Sequence, residues 1–349
     1  MKTNKKLLLL FYFLVNNFNV FSQDLITNKA ETIALLNNHF SKTNGLIIKD
    51  TEGDYTLKDC KISYERGLLT IVQTVYRNNS DYWKNIYQFS PLYIEGVNDN
   101  SNDYKREKED LVGSIIIYNP KLKVSWQKLL PDNKKETFWH NSWISIHTYY
   151  DGEKDANNIK KGLLRLQKLL KDQTDPFELT ADERKLSNIF AKYKSCETRE
   201  RPTGNFKGAK IKVDDMLFSL KGPFASYHRK SSRTTFYDDD GGISDTENTQ
   251  TYIVDNELWW RNINYLRYNV VAGSLVIQSK DYDIIGNLND ISSGKVLNKP
   301  TNNMIIYFKP ASADAMGEVK RDVLEIISLI KNTVKLYGGG EVKVDINEI

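Results

Sequence analysis

One strand–helix pattern occurs twice in this chain of 349 residues. The first copy runs from Trp143 to Lys171 and the second from Asn303 to Lys331. Ile159, Leu163, Leu166 and Leu170 recur as Val319, Val323, Ile326 and Ile330, each 160 positions later. Ile144 and Ile146 recur as Met304 and Ile306 at the same offset. Steps of three and four put the first set on one helix face, and a step of two puts the second on one strand face. A helix with a single apolar stripe has to cover a sheet. Two related domains are therefore expected, each closed by its last helix.

The N-terminus has a different character. Lys2, Lys5 and Lys6 precede the apolar run Leu7–Val15, and Val20 and Ser22 then supply small side chains before Gln23. That order predicts a secretory signal peptide over 1–22, cut after Ser22 and too short to span a bilayer stably. No later run is long and apolar enough to span either, so no integral membrane segment is expected after cleavage. The net charge of +4 falls to near +1 once three Lys and no acid are removed. A nucleic-acid partner is not expected from that balance. The expected location is the periplasm or the exterior, and the expected domains are 23–174 and 175–349. Cys60 and Cys196 are the two cysteines. In an oxidising compartment they form a candidate disulfide between the domains; the other reading is one buried and one exposed thiol.

Asn28 with Glu31, and Thr180 with Glu183, have capping-box spacing and open two helices. Ile33, Leu36 and Phe40 line the first; Leu186, Ile189, Phe190 and Tyr193 line the second. Strands are expected at Tyr55–Tyr64, Leu68–Tyr76, Tyr82–Phe89 and Leu111–Tyr118, with Leu122–Trp126 as a hairpin partner of the last. Glu136–Tyr150 reads as one long strand feeding a helix from about Asp155, a plausible N-cap. The second half repeats the theme with strands at Ala209–Leu220, Phe224–Arg229, Thr251–Val254, Leu258–Asn269, Ser274–Ser279 and Asn303–Phe308. Asn98–Asp110, Ser231–Gln250 and Asn287–Thr301 read as loops. The last helix, Ala313–Leu336, is stopped by Gly338–Gly340. The fold class expected is α+β: two related domains, each with an N-terminal helix, an antiparallel barrel-like sheet and a closing C-terminal helix.

Tyr82-Trp83-Lys84-Asn85-Ile86 is similar to Trp259-Trp260-Arg261-Asn262-Ile263, which reads as a second repeat signal. Antiparallel strands closed by one amphipathic C-terminal helix, with this Trp-x-x-Ile segment in each half, resemble tandem pleckstrin-homology-like barrel domains. The resemblance is architectural. The extra N-terminal helix of each half departs from that pattern. The rival architecture is a helix-grip fold, which would imply a carrier of an apolar ligand.

Chemistry is sparse. His140 and His147 lie at odd separation on one expected strand, so they face opposite sides. His39 and His228 complete the set of four. No metal-ligand spacing is present and no cofactor is expected. Asp238–Asp240, Gly241, Gly242 and Asp245 fail the calcium-loop pattern, because the required Gly and the final Glu are missing. Neither a phosphate loop nor a nucleophile elbow occurs. Lys207, Lys210, Lys212, Lys221, Arg229, Lys230 and Arg233 make the early second half basic, with Tyr227 and Phe236 among them. Arg229, Lys230 and Arg233 are candidate contacts to anionic headgroups or glycans; edge-strand protection is the competing account. Trp83, Trp259 and Trp260 are candidates to line a sugar or peptide groove, against core packing. These features point to a non-catalytic binding or scaffold module outside the cytoplasm, with an envelope protein or glycan as partner. The alternatives are a periplasmic hydrolase of envelope material and a helix-grip carrier.

Overall fold

The computed structural model describes residues 28–48, 53–77, 81–99, 112–119, 124–131, 135–136, 140–141, 143–149, 154–200, 206–237, 246–280, 284–308 and 316–347. The chain divides into two compact units, Met1–Phe177 and Glu178–Ile349. The division falls at the end of the polar stretch Lys171–Phe177. Both units are α+β, and nearly all strand pairs are antiparallel. The signal-peptide expectation for 1–22 lies outside the described residues.

The first unit opens with helix α1, residues 28–41. Strands β1 (Ile47–Ile48), β2 (Tyr55–Glu65), β3 (Leu68–Tyr76) and β4 (Tyr82–Phe89) follow. A short 3-10 turn, Pro91–Tyr93, leads into β5 (Gly96–Asp99) and β6 (Val112–Tyr118). The chain then lays β7 (Val124–Leu129), β8 (Lys135–Glu136), β9 (His140–Asn141) and β10 (Trp143–Tyr149) before helix α2 (Lys154–Lys171). One sheet runs β1-β2-β3-β4-β7-β8, with β9 also on β7; the other runs β10-β6-β5. Arg66 and Gly67 form the two-residue β2–β3 turn with φ of 49° and 75°, the left-handed pair that a twisted hairpin needs. A Cβ on Gly67 would sit 2.6 Å from the Phe177 ring, so glycine also makes room for the end of the unit.

The second unit opens with α3 (Ala181–Phe190), whose Thr180–Glu183 capping box is formed in full. Its strands are β11 (Cys196–Glu200), β12 (Phe206–Lys221), β13 (Phe224–Tyr237) and β14 (Thr246–Trp259). A 3-10 turn, Trp260–Asn262, leads into β15 (Ile263–Asn269) and β16 (Ser274–Ser279). Then come β17 (Ile284–Asp290), β18 (Lys295–Thr301), β19 (Asn303–Tyr307), helix α4 (Met316–Leu336) and β20 (Lys343–Asn347). The sheet orders are β11-β12-β13-β14-β17-β18 and β19-β16-β15-β20.

The two orders run alike, strand for strand, up to β20. In the smaller sheets the register agrees as well. Val97 pairs with Ile117 and Ile117 with Ile144; Leu266 pairs with Ile277 and Ile277 with Met304. All six side chains are buried, as are the eight apolar positions of the two closing helices. Burying each of those eight contributes about 1.5–3 kcal/mol, which is why each stripe stays under its sheets. Just past the N-terminal helix of each unit a lysine reaches an aspartate of the closing helix. Lys42 reaches both carboxylate oxygens of Asp155 at 2.9 Å, and Lys192 reaches Asp322 at 2.9 Å.

Several expectations are corrected. The sheets do not close into barrels: among the described residues each unit holds two separate ladders, because β7 returns to the larger sheet after β6. Leu122–Trp126 is therefore not a hairpin partner of β6; β7 pairs with β4. Glu136–Tyr150 is broken into β8, β9 and β10. Ser231–Gln250 is mostly strand, with β13 and β14 paired from Phe224–Trp259 out to Tyr237–Thr246. Asn287–Thr301 is also a hairpin, turning at 291–294 with Gly294 at φ 69°. Polar side chains on exposed ladders look like loop composition, yet cross-strand pairing satisfies their backbone. Asp155 is the second residue of α2 and is bound to Lys42 and His39. The two Trp motifs also differ in place: Tyr82–Ile86 lies within β4, whereas Trp259–Ile263 spans the end of β14, the 3-10 turn and the start of β15. The turn in the corresponding place in the first unit is Pro91–Tyr93.

Candidate functional site

In the second unit β13 carries the most chemically varied surface. Tyr227, Arg229, Ser231 and Arg233 alternate along one face, so they project to the same side. Tyr227 and Ser231 are buried, and Arg229 and Arg233 are half-buried. Lys230 projects to the opposite face and is exposed. The structure thus brings Arg229 and Arg233 together and leaves Lys230 apart.

The Arg229 guanidinium lies 5.1 Å from the Tyr307 ring centroid and makes a long contact of 3.5 Å to the Ile305 carbonyl. Among the described residues its Nε is buried without a hydrogen-bond partner. Burial pushes the Tyr227 phenol pKa up, and the Arg229 charge opposes that shift only in part. Tyr252 pairs with Ser231 across the ladder, and its hydroxyl donates to Gln250. Burial and the nearby Asp290 raise the Tyr252 pKa, while Arg233 lowers it. The result is two guanidinium groups and the Ser231 hydroxyl among three phenols, Tyr227, Tyr252 and Tyr307. Such a surface suits a planar anion, since arginine offers paired donors and phenols add neutral ones.

The tryptophans are best taken unit by unit. Trp260 is fully buried in the second unit's core, and Trp259 is 5% exposed, packed edge-on against Phe224 with Arg261 over its ring. The groove expectation fails for both, because core packing uses their faces. Trp83 is half-buried at the end of the first unit's larger sheet. Tyr55 meets it edge-on at 5.2 Å, and Lys128 lies 5.3 Å above its ring. Arg77 covers Tyr55 at 4.8 Å and donates to its hydroxyl at 2.6 Å. Lys128 thus lies over one face of the Trp83 ring, a face that a sugar could otherwise use.

Other titratable groups are absorbed by the fold. His39 and Lys42 both bind the Asp155 carboxylate. Burial alone would raise the Asp155 pKa; the hydrogen bonds from Lys42 and His39 outweigh it and hold the group below its usual value. Burial lowers the His147 pKa and favours its neutral ring. The His147 peptide group is held by Gln73, whose Nε2 donates to its carbonyl at 2.8 Å and whose Oε1 accepts from its N–H at 3.2 Å. His228 and Asp255 meet at 2.7 Å on an open face of the second unit's larger sheet, where water screens them. Among the described residues no group of three or more His, Cys, Asp or Glu is placed to hold a metal. The acidic segment Asp238–Asp240, Gly241, Gly242 and Asp245 lies outside the described residues. Cys60 is buried in the first unit and Cys196 half-buried in the second. Cys60 is sealed in the first unit's core, and burial pushes its thiol up to about 12.

Sequence reasoning missed Gln73 and Tyr307. Gln73 reads as one polar residue in an apolar strand, and only the fold shows which edge it faces. Tyr307 stands 160 residues after His147, which marks its place but not its ring contact. Comparison with known proteins finds no matching family model, no matching curated protein and no matching solved structure. Among the described residues no helix is long and apolar enough to cross a membrane.

Proposed function

We propose that this protein is an extracytoplasmic binding or scaffold module built from two related copies of one α+β domain. The duplication reading rests on the two strand orders and on the matched triplets Val97–Ile117–Ile144 and Leu266–Ile277–Met304. The pleckstrin-homology-like resemblance is kept on similar ground, since in both units one helix closes an assembly of antiparallel sheets. Export rests on the order of charge, apolar run and small residues from Lys2 to Ser22.

The observation that carries binding is the Arg229 surface. Its guanidinium lies over Tyr307, and Arg233 stands four residues along the strand on the same face. Stacking on a phenol fixes a guanidinium while leaving donors for an anion. The partner is an envelope protein or glycan bearing carboxylate or phosphate groups. Native mass spectrometry of the mature protein, recovered from its own envelope fraction, tests this. A non-covalently retained partner is expected, and the Arg229→Gln, Arg233→Gln double variant should release it while keeping its circular dichroism. Retention untouched by the double variant refutes the site. Turnover of an envelope polymer by the wild type refutes the class.

A further inference from the structure

Among the described residues the last strand of the second unit has no counterpart in the first. β20 lies parallel to β15, pairing Lys343 with Tyr265, Val344 with Leu266, Asp345 with Arg267 and Ile346 with Tyr268. It takes up the edge of the smaller sheet. In the first unit the corresponding edge is β5. The positions agree residue by residue. Gly96–Asp99 pair with Tyr118, Ile117, Ile116 and Ile115, just as Tyr265–Tyr268 pair with Gln278, Ile277, Val276 and Leu275. The four residues of β5 thus stand where the first four partners of β20 stand. Among the described residues β5 is the end of its sheet, and no strand pairs along its outer side.

The chain does attend to the stretch just before that edge. Gln167 of α2 donates Nε2 to the Ile94 carbonyl at 2.6 Å. This cap stops at Ile94. Beyond it, an antiparallel strand turns half of its N–H and C=O groups away from its neighbour, and such groups are a template for another strand. The charge on the edge also differs between the units. Arg267 faces Asp345 in the second, whereas the first has Asn98 at that place, near Glu95. Glu95 and Asn98 are exposed. An incoming strand therefore meets negative charge where β20 meets a cation.

We propose that β5 is a strand-addition site for a basic, extended peptide segment of a partner protein, laid parallel to Gly96–Asp99 in the manner of β20 on β15. Main-chain hydrogen bonds supply the affinity and the acidic flank selects the sign of charge. The site belongs to the first unit and stands whether or not the Arg229 surface binds an anion.

The probe is a fluorescein-labelled peptide with the sequence of residues 342–347 carrying Asp345→Lys, titrated into the full mature chain. Saturable binding is expected, together with slower amide exchange across 94–99 and unchanged exchange across 265–269. Glu95→Lys in the chain, at an exposed position, should weaken binding roughly two- to fivefold, the range for an exposed ion pair. N-methylation of alternate peptide residues should abolish it. No saturation at millimolar peptide overturns the proposal. So does protection confined to 265–269, which would mean strand exchange in the second unit. Tighter binding of the unsubstituted peptide also overturns it, since the occupant would then be the terminal strand of a second copy.

Discussion

Replacing Gln73 tests how the two sheets of the first unit are held together. Gln73 is 1% exposed on β3, yet its amide makes two hydrogen bonds to the peptide group of His147 on β10, at 2.8 and 3.2 Å. Among the described residues β10 is the outer strand of the smaller sheet, with no strand beside these groups. The side chain does the work of a missing neighbour. Gln73→Met keeps length and apolar volume, so little cavity forms. What is lost is about 1 kcal/mol per hydrogen bond, plus about 1–3 kcal/mol for each peptide group left dry. His147 is half-buried, which lets water recover part of that penalty. The expected loss is about 2–4 kcal/mol. Gln73→Glu refines the test. Its carboxylate still accepts from the His147 N–H but cannot donate to the carbonyl. The protonated form can do both, so folding raises the pKa of the introduced carboxyl. A raised acid pKa means stability that grows as pH falls through the raised value. The Glu variant should therefore be no more stable than the Met variant at pH 7 and should recover on acidification. Guanidinium unfolding, followed by circular dichroism and tryptophan fluorescence at several pH values, measures both. A Met variant within about 0.5 kcal/mol of wild type, the scatter of an inert surface change, refutes the reasoning. A Glu variant with no acid recovery refutes it equally.

Two further predictions concern buried groups. Asp155 is held below its ordinary pKa by Lys42 and His39, so its contribution is present above the unfolded-state value near about 4 and is lost as pH falls through the folded value. Asp155→Asn should be less stable at neutral pH and should lack that acid-side component; urea midpoints with the same pH slope as wild type would count against the network. The Cys60 thiol, pushed up to about 12 by burial, should resist iodoacetamide in the native protein while half-buried Cys196 is modified. Peptide mapping decides this, and equal labelling of the two would show that the core around Cys60 is open.

Helices were the most legible part of the chain. α1, α2, α3 and α4 follow apolar spacings of three and four, and the Thr180–Glu183 box is formed as read. Strands with clean apolar content, β3, β4, β6 and β16, were equally plain. Exposed ladders were not. β17, β18 and the outer halves of β13 and β14 carry Asn, Asp, Ser and Thr, and nothing local separates a polar strand from a loop. β20 escaped because it follows a glycine stop, and only its pairing with β15 makes it a strand. Of the candidate site residues, only Arg229 and Arg233 were brought together. Trp259 and Trp260 went to the core, where aromatic area is worth more than at a surface.

The sequence by itself determined the covering helices, their buried faces and the 160-residue recurrence, because these depend on periodicities of a few residues within one element. Tertiary structure alone decided which strands are neighbours and which polar groups meet. The return of β7 to β4, the clasp of Gln73 on β10, the Arg229 contact with Tyr307 and the pairing of β20 with β15 all join residues far apart in the chain. Contacts of that kind are set by backbone pairing between elements, and no local spacing records them.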